Sequence, residues 1–257
     1  MGSAAAISLT MSWTGLLLPV DAAFYDRVSL RLPAVRTMPE TVVVAIDDPS
    51  FAELGQSWPW PRSLHARLIE ALRTAGARQI AYDVVFADPG TPADDAALAQ
   101  ALNDDVILAR YTSLIDTEQG ALRMSVAPLP LLANLARVAD VDIPVDPDGA
   151  IRRLSEGAGT MAATLAGQVP PPGARIRFEE TGLRVVSFYQ ALEADRMLPP
   201  GTFLNKSVLV GTILDSTPAT SAEMFRVPAT ADGDGFMAGV VIHAHAYRTI
   251  APGRYGR

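Results

Sequence analysis

The chain contains no cysteine, which excludes a disulfide-stapled scaffold and any thiolate metal site. Basic residues are also short: 21 Lys and Arg stand against 28 Asp and Glu, for a net charge of −7. Nucleic-acid binding needs clustered cations to neutralise phosphate, so the chain is not read as a nucleic-acid binder. Catalytic signatures are missing as well. The sequence has no G-x-S-x-G elbow, no G-x-x-x-x-G-K-[ST] loop and no H-E-x-x-H pair. No catalytic residue, metal or cofactor is therefore assigned.

What is present begins with apolar material: 49% of residues are hydrophobic, enough to build a core. Ala4 to Val20 runs 17 residues without a charge, close to the roughly 20 needed to span a bilayer, and no Lys or Arg precedes it. It can be the outer part of a membrane helix, a signal-like segment or a soluble amphipathic helix. Residues 21–41 follow as a stalk of mixed charge containing Pro33 and Pro39.

Thr41 to Ile46 is β-branched and uniformly apolar, the pattern of a strand buried on both faces. Ser63 to Ala75 places Leu64, Leu68, Ala71, Leu72 and Ala75 on one helical face, with Gly76 positioned to end it. Arg78 to Phe86 reads as a second strand, Asp94 to Leu102 as a helix and Val106 to Tyr111 as a third strand. This alternation predicts an α/β fold: a mostly parallel central sheet flanked by helices, with right-handed crossovers. Further on, Asp146-Pro147-Asp148-Gly149 predicts a hairpin between Ala139–Val145 and Ala150–Leu154. Ser207 to Thr212 is another buried strand, residues 215–239 a long C-terminal loop excursion, and His243 to Ile250 a closing helix.

Ligands of open parallel sheets bind outside the carboxyl ends of the strands. Asp47 and Asp48 fall at the end of the first strand, and Asp83 lies in the second, three residues before Phe86. These carboxylates either line a pocket for a cation or polar ligand, or cap neighbouring loops and helix starts. In Trp58-Pro59-Trp60-Pro61-Arg62 the prolines stiffen a loop that carries two large aromatic faces beside a guanidinium. Such a loop can stack a planar or sugar-like ligand, or plug into the core with Arg62 paired to Asp47 or Asp83. His243 and His245, if helical, point about 200° apart and do not share a metal. His65 is the remaining histidine.

Together these blocks resemble the second type of CHASE domain, the cyclase/histidine-kinase-associated sensory extracellular modules. The likeness rests on Val43 to Asp47, Trp58 to Arg62, Gly76-Ala77 and Ile80 to Phe86. It continues through Asp94-Asp95, Asp146 to Arg153, Val186 to Tyr189, Lys206 to Gly211 and Gly239 to Ala244. It covers roughly residues 21–250, and the segment from Val42 to Phe86 is its most specific part. Departures lie in the C-terminal half: Ala238 to Val241 and His245 stand where the family tends to have Pro-Gly-Val-Glu and Asn, and Ile176 to Glu179 replaces an Asn-Tyr-Arg-Gly-like strand.

The resemblance implies a bacterial membrane receptor. Residues 1–20 would be a partial membrane helix or signal-like segment, 21–250 a sensory domain facing the periplasm or exterior, and 251–257 a juxtamembrane tail. The output would be a nucleotide cyclase, a histidine kinase, another kinase or a cyclic-di-GMP enzyme, outside this chain. Expected partners are a small-molecule or ion ligand, the membrane through flanking helices, and a second copy in a homodimer. Asp47, Asp48, Trp58, Trp60, Arg62, Asp83, Phe86 and His243 are the expected ligand-binding residues. The competing readings are a metal-assisted hydrolase using Asp47, Asp83 and a histidine, and a structural dimerisation module with Trp58 and Trp60 in the interface.

Overall fold

The structure is a computed structural model that describes residues 41–117, 120–178, 183–214, 224–228 and 235–251. The expected segments 1–20 and 21–40, and all but the first residue of the expected tail, lie outside the described residues. The described residues are an α/β arrangement with a mostly parallel central sheet, as the alternation predicts.

Six strands run parallel: β1 (Thr41–Ile46), β2 (Gln79–Tyr82), β3 (Val106–Thr117), β5 (Arg137–Asp140), β6 (Arg184–Ser187) and β7 (Ser207–Thr212). Their spatial order is β5-β3-β2-β7-β1-β6, so the chain winds left from β1, returns to the far edge for β6, and threads β7 between β1 and β2. Alternate residues of β1 and β7 feed two cores. Val42, Val44, Ile46, Val208 and Val210 pack beneath one layer of helices, and Val43 and Leu209 beneath the other. That two-sided burial is why both strands read as unbroken apolar runs; each such side chain contributes about 1.5–3 kcal/mol when fully buried.

The first layer contains α1 (Asp48–Leu54), α2 (Arg62–Thr74), α3 (Pro92–Ala101), the short α4 (Pro130–Ala133), α6 (Phe188–Leu192) and α7 (Ala194–Met197). The second contains α5 (Met161–Ala166) and α8 (Gly239–Ile250). Crossovers that move left carry their helices on the first face, and the return from β5 to β6 carries α5 on the second. This is the doubly wound, right-handed arrangement. α2 stops where Gly76 takes φ +84°, with Gly76 N–H donating to Arg73 O and Ala77 N–H to Leu72 O, a Schellman ending.

Several local expectations are corrected. The second strand ends at Tyr82, not Phe86: the Asp83 N–H still donates to Val210 O at 2.8 Å, but the chain then leaves the sheet. The hairpin is β3 with β4 (Gly120–Val126), paired from Tyr111–Val126 to Thr117–Gly120. The Asp146–Gly149 turn forms, but its flanks do not pair with each other. Val138 and its neighbours add to the sheet beside β3, while Ala150 bridges Arg226 and Arg153 bridges Arg175. The turn is held by Arg152 and Arg153 on Asp146 and Asp148 rather than by a ladder. The closing helix starts four residues early, at Gly239, because Val240 and Ile242 are buried against the sheet. Most of the excursion lies outside the described residues; within it, β8 (Met224–Arg226) pairs antiparallel with β9 (Phe236–Ala238).

α8 approaches the sheet closely at Gly211 of β7, where a Cβ would lie 2.7 Å from Val240 Cβ and 3.2 Å from Asp83 Cβ. Gly211→Ala is expected to cost about 2 kcal/mol, read from the urea-unfolding midpoint. A loss below about 0.5 kcal/mol would show that α8 can lift off the sheet freely.

Candidate functional site

The six parallel strands put their carboxyl ends on one edge, and the eight expected site residues divide there into three places.

Asp47 is the N-cap of α1: it accepts from Ser50 N at 3.0 Å, from the Ser50 hydroxyl, and from Ser187 Oγ of β6 at 2.5 Å. Asp48 occupies the first turn of α1, where a carboxylate faces the positive end of the helix. Both fit the capping account of these residues, which ties β1 to β6.

Asp83 and His243 form the second place, under the start of α8. His243 Nε2 lies 4.0 Å from Asp83 Oδ1, and a Cβ on Gly239 would come within 3.3 Å of Asp83 Oδ2. Burial pushes the Asp83 carboxyl above its ordinary range, and His243 partly offsets that. β7 lies between β1 and β2, so Asp47 and Asp83 sit on strands two places apart and do not converge. His245 faces away, its ring 5.6 Å from Phe178. Burial, with Arg248 nearby, lowers its pKa to about 4. Among the described residues no three acidic or histidine side chains gather as a metal site.

The third place is a cleft of about 520 Å³ between the Trp-Pro loop and the chain leaving β2, lined by residues 58–62, His65, residues 84–91 and Asp94. It unites Trp58, Trp60, Arg62 and Phe86. Trp60 and Phe86 are buried, whereas Trp58 is 43% exposed. Trp60 contacts Phe51 and Phe188 at centroid distances of 4.9 and 4.8 Å, which roots the loop in the core. Arg62 pairs with neither Asp47 nor Asp83. Its guanidinium donates to Asp95 of α3 and to Asp88 O, and it lies over the Phe86 ring at 5.7 Å. The partner is Asp95 because α2 and α3 pack side by side on the same sheet face.

The sequence reading missed the centre of this cleft. His65 is 1% exposed, and Trp58, Trp60, Tyr82, Phe86 and Phe188 all lie within 6.3 Å of it, centroid to centroid. A signal existed: His65, Leu68, Ile69 and Leu72 follow the i, i+3, i+4, i+7 spacing of a buried helical stripe. Burial, reinforced by the Arg62 charge, pushes the His65 pKa down to about 3. The imidazole is therefore neutral at pH 7, and its Nδ1 is fully enclosed with no hydrogen-bond partner. A second groove of about 540 Å³ lies at the opposite end of α2, walled by Ala71, Leu198, Pro199 and Phe203. It offers alanine, proline and leucine surface and lacks an enclosed, unpartnered polar atom among the described residues.

The unfolded chain protonates His65 near pH 6.5 and the folded chain only near pH 3, so His65 makes the fold less stable as pH falls through that window. His65→Phe is expected to flatten the slope of unfolding free energy between pH 6 and 4 by about 1.4 kcal/mol per pH unit, measured by urea titration. An unchanged slope would mean that His65 is accessible to protons in the folded chain.

Comparison with curated proteins finds no match, and comparison with solved structures finds none either. A family model, the CHASE2 domain, matches residues 3–256, essentially the whole chain. With a parallel sheet, its carboxyl-edge cleft and this match in hand, the chain belongs to the CHASE2 family of extracellular sensory domains associated with signalling receptors.

Proposed function

We propose that this chain is the ligand-sensing part of a bacterial transmembrane receptor facing the periplasm or cell exterior, and that its ligand binds in the cleft of Trp58, Trp60, Arg62 and Phe86. The output module would be a nucleotide cyclase, a histidine kinase or another kinase outside this chain. A homodimer embedded by flanking segments is the proposed assembly.

One observation carries this reading: the cleft and the described ends of the chain lie on opposite edges of the sheet. β1 begins at Thr41 on the amino edge, in register with Ser207. α8 starts beside Asp83 on the carboxyl edge and runs 12 residues, about 18 Å, back to the amino edge. There Tyr247 Oη accepts from Arg78 Nη2 at 2.6 Å and lies 2.9 Å from Ser207 Oγ. The described residues therefore begin at Thr41 and end at Ala251 on the edge away from the cleft. The cleft wall at Val84 to Phe86 continues directly from Asp83, on which the start of α8 rests. A ligand that binds one setting of that wall more tightly than another would shift the population of α8 positions.

The hydrolase reading is disfavoured by the separation of Asp47 from Asp83 and by the Ser50 and Ser187 hydroxyls that occupy Asp47. The dimerisation reading is disfavoured for Trp60, which is 3% exposed; Trp58 alone presents surface.

In a thermal-shift screen of metabolites and metal ions, at least one compound is expected to raise the melting temperature of the parent chain by several degrees at saturating concentration. The same compound should leave Trp58→Ala within a degree of its ligand-free value. A shift that survives Trp58→Ala puts the ligand elsewhere, and a screen without any shift removes the sensor reading's basis in this cleft.

A further inference from the structure

The chemistry of the cleft defines a ligand class, an inference that rests on the sensor reading above. We propose that the cleft takes a small uncharged aromatic ring bearing an O–H or ring N–H, seated between Trp60 and Phe86 and donating to His65 Nδ1 as the acceptor nitrogen of an Nε2–H imidazole.

Several polar groups around the cleft are engaged by the protein itself. Trp60 Nε1 donates to Gln56 O at 3.2 Å, and the Tyr82 hydroxyl donates to His65 O at 3.3 Å. The Arg62 guanidinium is held by Asp95 and Asp88 O, and Asp94 accepts from Thr91 Oγ1 at 2.7 Å. His65 Nδ1 is left over, enclosed and without a partner, on a side chain that lines the cleft. A buried polar atom without a partner destabilises the chain that carries it, so its presence calls for a cause.

Water is a poor occupant. A buried water needs two to four polar partners, and the groups nearest this imidazole are the rings of Trp58, Trp60, Tyr82, Phe86 and Phe188. A molecule with one polar edge and an aromatic body satisfies Nδ1 and covers those rings with its own. A cleft of about 520 Å³ has room for such a ring.

Charge narrows the class. His65 is neutral at pH 7 because burial holds its pKa near 3, so it cannot balance an anion. The Arg62 charge is already met by Asp95, and Asp88 and Asp94 at the mouth repel anions. A cation is drawn to Asp88 and Asp94 at the mouth but would shed its hydration against the buried rings of Trp60 and Phe86, where the cleft lining holds no carboxylate.

Trp58 supplies the entry. It meets His65 edge-on, with centroids 6.2 Å apart and planes at 88°, and it is the cleft aromatic that stands in solvent. Pro59 and Pro61 hold the backbone on either side of Trp60. Rotation of the Trp58 indole thus opens the path to Nδ1, and the indole then stacks back on the bound ring, so its loss removes affinity rather than a barrier alone.

The test titrates the 257-residue chain with phenol and indole, and with toluene and benzoate as rings lacking a neutral donor. Melting temperature and tryptophan emission are the readouts. Phenol and indole should bind saturably and shift both. Toluene should bind about tenfold more weakly than phenol, and benzoate should not bind. His65→Phe, which keeps the ring and removes the nitrogens, should lower phenol affinity to that of toluene. If this variant does not fold, the phenol-to-toluene ratio of the parent decides alone. Equal binding of phenol and toluene, or unchanged phenol affinity in His65→Phe, overturns the anchor. Failure of all four probes overturns the ligand class. The sensor reading still stands in that case if the metabolite screen yields a compound whose shift Trp58→Ala abolishes, so the two failures are distinguishable.

Discussion

The structure depends on the placement of β7 between β1 and β2. This strand is inserted last, yet it lies at the middle of the sheet and pairs parallel on both sides, from Thr41–Ser207 to Ile46–Thr212 on one and from Gln79–Ser207 to Tyr82–Val210 on the other. Its neighbours send their connections over the first face of the sheet, while the chain after β7 returns over the second as α8. Two switch points follow at the carboxyl edge, one on each side of β7. Gly211 is the local requirement for this crossing, since only a hydrogen fits between β7 and Val240.

The same arrangement separates the chemistry of the carboxyl edge. On the β1 side, Asp47 is consumed in holding α1 and β6 together. On the β2 side, the chain turns off at Asp83 and forms the wall of an aromatic cleft, with Arg62 and Asp95 bracing α2 against α3. Asp83 itself stands between the cleft wall and the first turn of α8. It is a carboxylate whose charged form is disfavoured by burial and only partly favoured by His243. A group that is both desolvated and wedged against a helix start is well placed to register a movement of the wall. In the proposed sensor α8 would carry that movement to Tyr247, Ser207 and Arg78 on the other edge.

Much of this fold was legible because its central strands are buried on both faces. Thr41 to Ile46 and Ser207 to Thr212 are observed with the boundaries their composition suggests, and α2 within a residue of its apolar stripe. The failures share a cause: local signals met long-range partners. The Asp146–Gly149 turn has hairpin chemistry, but its flanks are claimed by β3, Arg226 and Arg175. The stretch from Thr112 to Thr117, interrupted by Ser113 and Asp116, extends β3 beyond Tyr111 because β4 folds back on it. In the site, the Trp-Pro loop was visible as an oddity, and its position over the cleft followed from the strand order. The Arg62–Asp95 pair, 33 residues apart, was not visible. Nor was the isolation of His65 Nδ1, which depends on five rings drawn from three separate segments.

The central claim is that ligand enters at the carboxyl edge and that its effect reaches the amino edge through α8. Hydrogen–deuterium exchange, with and without a compound that raises the melting temperature, tests it most directly. The account predicts slowed exchange in residues 58–65 and 84–91 together with a change in the first turn of α8. Protection confined to the groove walled by Ala71, Leu198 and Phe203, with residues 58–65 and α8 unaltered, would contradict it.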